Sequence, residues 1–292
     1  LLGSCFSENI GDKFNYFKFQ STQNPFGILF HPKAIETLVT NAINEKEYTE
    51  EDVFLLNERW HCFDAHSQLS NSSKEELLND LNKAIKSTHK QLYDSTHIII
   101  TLGTAWAYRL IESDSFVSNC HKVPQKKFLK ELLSVDDITE NLESIISLIR
   151  SVNPSVNFIF TVSPVRHLKD GFVQNQQSKA HLITALHQVV EPRKRIFYFP
   201  SYEIVMDELR DYRFYTEDMI HPNQTAINYI WEKFSNALIS EPATSTMSQV
   251  DSIQKRLNHK PFNPNSSAHQ EFLLQLDKDI QTLQESHSLI TF

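Results

Sequence analysis

The sequence predicts an α/β domain built around a parallel sheet. Short strand-like apolar runs alternate along the chain with longer segments of helical periodicity, the pattern of successive β–α units. Two of the runs, at 98–102 and 158–162, are almost continuously apolar, as central strands covered on both faces should be.

The elements follow in order. "LLGSCFSENIGDKF" opens the chain: Leu1 and Leu2 read as the last residues of a strand whose start is missing, Gly3, Ser4 and Cys5 read as a tight turn, and Ile10, Phe14 and Phe17 follow at helical spacing. "NYFKFQS" (15–21) reads as the second strand. The long mixed segment 30–73, with "NERWHCFDAHSQLS", reads as an insertion over one end of the sheet. "KEELLNDLNKAIKSTHKQLYD" is helical and precedes the third strand, "HIIITLGT" (97–104). "DDITENLESIISLIRSV" precedes the fourth, "NFIFTVSPV" (157–165). "SKAHLITALHQVVE" precedes the fifth, "RIFYFPSY" (195–202). "NQTAINYIWEKFSNAL" is the helix after the last strand. Beyond Ser240 the composition turns to Ser, Thr, Asn, Pro and Gln; "SEPATSTMSQ" reads as a linker and 269–286 as a polar helix. The predicted division is a domain over 1–240 and a linker with helical extension over 241–292. There is no internal repeat.

Composition excludes several functions. The net charge is −8 and Lys and Arg are scattered, so no nucleic-acid or anionic membrane surface is expected. Cys5, Cys62 and Cys120 lie far apart, without CxxC or finger spacing, which points to a reducing, cytoplasmic setting. No apolar run is long enough to cross a membrane. The five glycines form neither GxGxxG nor GxxxxGK, so no phosphate-cradling loop and no cofactor are predicted. His66, His121, His167 and His221 lack short ligand spacing, and no metal site is predicted.

Two stretches can carry chemistry. In "EDMIHPNQTA", Asp218 and His221 stand three apart before a helix. Such a carboxylate can orient the imidazole through Nδ1–H, leaving Nε2 as general base; equally, the two can simply cap a turn and a helix. The opening turn puts Ser4 and Cys5 where free helix N–H groups favour negative charge; equally, it is a strand–helix junction with a small buried cysteine.

Taken together, "GSCFSENIG", "NPFGILFHP", "ITLGTAWAY", "NCHKVP", "FTVSPVRH" and "DMIHPN" resemble, in order, the motifs of the GSCFA family within the SGNH/GDSL-type hydrolases, with Ser7 where Ala is usual. The resemblance implies a flavodoxin-like three-layer α/β/α sandwich with a central five-stranded parallel sheet in the order 2-1-3-4-5. It lays "GSCF" on Gly-Asp-Ser-Leu and so puts Cys5 in the nucleophile position; Ser4 takes it if the turn is shifted by one residue. It implies Gly27 as an oxyanion-hole N–H. In the third block Gly103 and Thr104 are present, but Ala105 stands where the oxyanion Asn is usual. Arg166 and His167 follow the fourth strand, where Arg166 can bind an anionic substrate group and His167 make a second polar contact; equally, the loop is held by its own hydrogen bonds. His121 and Lys122, with Trp60, Asp64 and His66, are expected to line the pocket from the insertions.

The expected function is hydrolysis of an acyl ester, such as an O-acetylated carbohydrate, through a covalent acyl-enzyme. The expected partner is therefore a small-molecule or carbohydrate ester. An acyltransferase using the same intermediate is the nearest alternative. A non-catalytic carbohydrate- or ligand-binding module on a hydrolase scaffold is the alternative from another class, and Ala105 favours it.

Overall fold

The computed structural model describes residues 1–292. The chain divides into two compact units. The first comprises Leu1–Glu8 and Thr22–Ala226, the second Asn9–Ser21 and Ile227–Phe292. The division therefore falls within two helices, α1 (Cys5–Tyr16) and α7 (Gln224–Leu238).

The first unit is built on a parallel sheet of β1 (Leu2–Gly3), β4 (His97–Leu102), β8 (Asn157–Val162) and β9 (Ile196–Phe199), in the order β1-β4-β8-β9. The two nearly continuous apolar runs are the central strands β4 and β8, and all residues from Ile98 to Leu102 are buried. Their register is set by pairs such as Ile100 with Phe160 and Thr101 with Thr161. Helices α2 (Pro32–Ile43), α3 (Lys74–Asp94), α4 (Val135–Val152) and α5 (Phe172–Val189) flank the sheet. Their starts are legible in local chemistry. Ser73 caps α3 by accepting from Glu76 N–H, and Ser134 and Asp137 form a capping box on α4.

A five-stranded sheet is not formed. The segment 15–21 is not a strand: Tyr16 ends α1, and Phe14, Phe17 and Phe19 gather with Trp231 and Phe234 in an aromatic cluster of the second unit. Beside β1 the chain runs irregularly. Asn24 N–H donates to Leu1 O, the Asn24 side chain accepts from Gly3 N–H, and Leu29 N–H donates to Gly3 O. Pro25, which has no N–H, interrupts any ladder here.

Two small antiparallel sheets lie in the connections. β2 (Val53–Leu56) pairs with β3 (Arg59–Cys62). β5 (Trp106–Leu110) lies between β6 (Ser115–Val117) and β7 (Phe128–Leu132). The first lies inside the predicted insertion 30–73, which also contributes α2. The second was not predicted. After β9 come a one-turn helix α6 (Ser201–Glu203) and a π-type turn at Ile204–Glu208.

In the second unit the stretch expected as a linker is helix α8 (Glu241–Leu257), followed by α9 (Ser267–Ser286). Ser240 at the N-cap and Pro242 in the first turn suit a helix start. Met247, Val250 and Ile253 then supply a buried stripe, and Val250 and Ile253 share a core with Leu276, Leu283 and Ile290. Packing of that stripe outweighs the weak propensity of the surrounding Ser and Thr. No helix is long and apolar enough to cross a membrane.

Candidate active site

The opening turn is anchored by the sheet. Ser4 N–H donates to Thr101 O at 3.1 Å, carrying β1's pairing one residue further. Gly3 (φ +130°) packs so closely that a Cβ there would stand 2.1 Å from Thr101 O, which no side chain permits. Ser4 is almost fully buried and caps α1, its Oγ accepting Phe6 N–H at 3.3 Å. Cys5 is the first residue of α1 and is partly exposed. Its backbone N–H has no carbonyl acceptor, as is usual for the first turn of a helix. The thiol is pushed up from its ordinary value by burial and then by the Glu8 carboxylate; Lys179 and the N–H groups of Cys5 and Phe6 oppose that shift.

The other predicted residues separate into two groups. Some have polar groups already engaged in holding the fold. Gly27 (φ +72°) adopts a turn in which its N–H donates to Asn24 O at 2.7 Å, so the donor expected to face an oxyanion is occupied. A Cβ on Gly27 would meet His66 Cβ at 2.5 Å, and this close approach explains the glycine. Gly103 and Thr104 both donate their N–H groups to Phe30 O, at 2.8 and 3.0 Å. The Thr104 hydroxyl accepts Trp106 N–H and shares a 3.1 Å hydrogen bond with Ser178 Oγ. His121 is buried in the insertions rather than at the opening turn. Its Nε2–H donates to Cys62 O at 2.7 Å, its ring lies 4.8 Å from that of His61, and burial lowers its pKa to about 4.

The second group converges on the strand ends. Gly103 abuts the opening turn, where a Cβ on it would lie 3.3 Å from Ser4 Cβ. Its carbonyl accepts from His167 Nε2–H at 3.0 Å. Burial, with Lys179 nearby, lowers the His167 pKa to about 4, so this imidazole is neutral. The neighbouring Arg166 donates to Met219 O at 2.5 Å and lies over the Tyr215 ring. Met219 (φ +60°) belongs to the loop that carries Asp218 and His221.

In that loop the predicted pair is formed. His221 Nδ1–H donates to Asp218 Oδ2 at 2.6 Å. Asp218 Oδ1 also accepts from the Thr216 hydroxyl and the N–H groups of Ile220 and His221. These bonds, with that from Thr216 the largest influence, hold its carboxyl well below the usual carboxylate range. Asn223 caps α7 by accepting Ala226 N–H. Both members of the pair are about half exposed. No hydrogen bond joins His221 to Cys5 or Ser4.

Sequence reasoning missed Glu8 and Lys179. Glu8 lies one turn after Cys5 and faces both Cys5 and His66. Lys179 is fully buried, with Nζ 2.7 Å from both Gly103 O and Ser163 O. A signal existed: the buried stripe of α5 is Asn175, Ser178, Lys179, Leu182, Ala185, Leu186 and Val189, apolar at one end and polar at the other. No three His, Cys, Asp or Glu side chains converge as a metal-ligand set.

The fold and site define an α/β protein with a parallel sheet and a cysteine on the turn after its first strand. The chain belongs to the GSCFA family, whose family model matches residues 1–234. A second model, the C-terminal domain of GSCFA domain proteins, matches residues 250–292. A search of curated proteins finds no match.

Proposed function

We propose that this chain is an SGNH-like acyl hydrolase with a thiol nucleophile, acting on an ester such as an O-acetylated carbohydrate. The observation that carries the proposal is the division of labour on the opening turn. The Ser4 hydroxyl is buried and capping α1, whereas Cys5 is partly exposed and its thiol lies by its own backbone N–H, which has no carbonyl acceptor. The hydrogen-bonded Asp218–His221 pair supplies a base of the right kind.

In the proposed reaction His221 Nε2 accepts the Cys5 proton as Sγ forms a bond to the acyl carbon. The Cys5 N–H donates to the resulting oxyanion. Collapse breaks the ester C–O bond, and the leaving alkoxide takes the proton from His221. Water, deprotonated by His221, then cleaves the thioester, releasing the acid and restoring the thiol. Transfer to a sugar hydroxyl instead of water would make the same intermediate serve an acyltransferase. Asp218 holds the imidazole in the tautomer with Nδ1–H and balances its charge. Because His221 is not hydrogen-bonded to Cys5 at rest, the reaction requires its loop to bring the imidazole within reach when substrate binds. With Gly27 N–H taken by Asn24 O and Ala105 at the usual Asn position, two expected oxyanion donors, each worth about 3 kcal/mol, are lacking. A slow enzyme is expected.

One observation favours the second reading, a ligand-binding module: the resting thiol is raised above its ordinary value. Intact mass after incubation with p-nitrophenyl acetate separates the two. The hydrolase reading expects an acyl adduct in the wild type and in Ser4→Ala, and none in Cys5→Ala or His221→Ala. Equal labelling in all four proteins, or none in any, supports the binding module.

A further inference from the structure

Lys179 is a fully buried ammonium without a carboxylate partner. Two of its three N–H donors are taken, by Gly103 O at the end of β4 and Ser163 O at the end of β8. The third has no hydrogen-bond acceptor. A buried charge that is not paired is costly, and a lysine kept there points to an anion that the site is built to receive. The groups that face it are few. Tyr202, from α6, presents its ring 5.7 Å from Nζ. His167 is neutral and already donates to the same Gly103 carbonyl. From α1, Cys5 is the one ionisable group in electrostatic contact with it that can carry negative charge. Cys5 in turn faces Glu8, whose carboxylate opposes a second negative charge beside it.

We propose that Lys179 is a positioning residue for Cys5, a buried cation behind the opening turn that stabilises negative charge on Sγ. It rests on the thiol-nucleophile reading and deepens it. Lys179 touches no substrate; it fixes the ends of β4 and β8 and biases the thiol toward thiolate. Burial works against its own charge and lowers its pKa to about 7, so a negative sulfur and the ammonium favour one another.

The test is the pH profile of Cys5 alkylation by iodoacetamide, followed by intact mass, in the wild type, Lys179→Met and Lys179→Arg. Cys5→Ala serves as the control for labelling at Cys62 and Cys120. Lys179→Met should raise the apparent thiol pKa by about one unit and slow alkylation near neutral pH about tenfold. Lys179→Arg should stay near the wild-type profile. An unchanged profile in folded Lys179→Met overturns the proposal. Should Lys179→Met fail to fold, Cys5→Asp and Cys5→Asn on the wild-type background give the answer by thermal melting at pH 8. If the ammonium awaits an anion, Asp is tolerated at least as well as Asn; if Asp melts well below Asn, the proposal fails. Alkylation reports thiol charge and acetylation reports acyl transfer, so loss of the hydrolase reading alone leaves the Lys179 effect measurable.

Discussion

The opening turn and the Asp218–His221 loop are built in opposite ways. At the turn, Leu2, Ser4, Phe6 and Ser7 are all buried, and Ser4 is tied to β4. Its geometry is a property of the whole sheet. In the loop, Asp218 and His221 are about half exposed, and Asp218's partners are Thr216, Ile220 and His221. Its geometry is a property of a few adjacent residues, joined to the strand ends through Arg166 and Met219 O. The proposed nucleophile is thus held rigidly and its base locally. Changes at the turn should therefore register in stability, and changes in the loop in rate.

The largest expected effect breaks the loop alone. His221→Ala should slow acylation of Cys5 by about 10²–10⁴, the usual worth of a positioned general base. Its unfolding free energy should stay within about 0.5 kcal/mol of the wild type, because the side chain is exposed and its bond to Asp218 is local. Stopped-flow release of p-nitrophenol and urea unfolding measure the two quantities on one sample. A variant that loses stability while acylating normally would reverse the assignment of roles.

An acid titration sharpens the same contrast. Burial lowers His31, His121 and His167 to about 4 from the ordinary value of 6.5. Between these values the unfolded chain binds protons that the folded chain does not. The contribution of these three imidazoles to stability should therefore be complete above pH 6.5, shrink as the pH drops to 4, and change no further below. His31 and His121, 4% and 5% exposed, should each contribute up to about 3 kcal/mol of that loss. Asp218, held below the usual carboxylate range, contributes stability that is lost only under more acid conditions, outside this window. Urea midpoints at half-unit pH steps would show it. A flat profile from 6.5 to 4 would mean that these imidazoles reach solvent.

Much of this was legible because some residues speak for themselves. Ile98 to Leu102 and Phe158 to Val162 are apolar on both faces, and they became the central strands. Asp218 and His221 pair through three residues of local backbone, so spacing alone placed them. The failures share a cause, which is that partners distant in sequence decide the outcome. Phe17 and Phe19 mimic strand alternation until Trp231 gathers the aromatics. Met247, Val250 and Ile253 turn a Ser- and Thr-rich stretch into a helix because Leu276 and Leu283 await them. Lys179 was hidden among apolar positions of α5, and only Gly103 O and Ser163 O reveal what it holds.

The smallest expected effect concerns the residue next to the nucleophile. Ser4→Ala removes the Oγ that accepts Phe6 N–H, leaving that donor buried at the start of α1. The loss of an N-cap of this kind is worth about 1 kcal/mol, and Gly at the same position costs only a few tenths relative to Ser. Ser4→Ala should therefore melt lower than both the wild type and Ser4→Gly, and all three should still form the acyl adduct. The two readouts divide the possibilities cleanly. A cap acts on the helix and is partly relieved by Gly, whereas a nucleophile is relieved by neither substitution. If both variants lose the adduct while their melting temperatures stay near the wild type's, Ser4 is the nucleophile and Cys5 the residue that merely follows it on the turn.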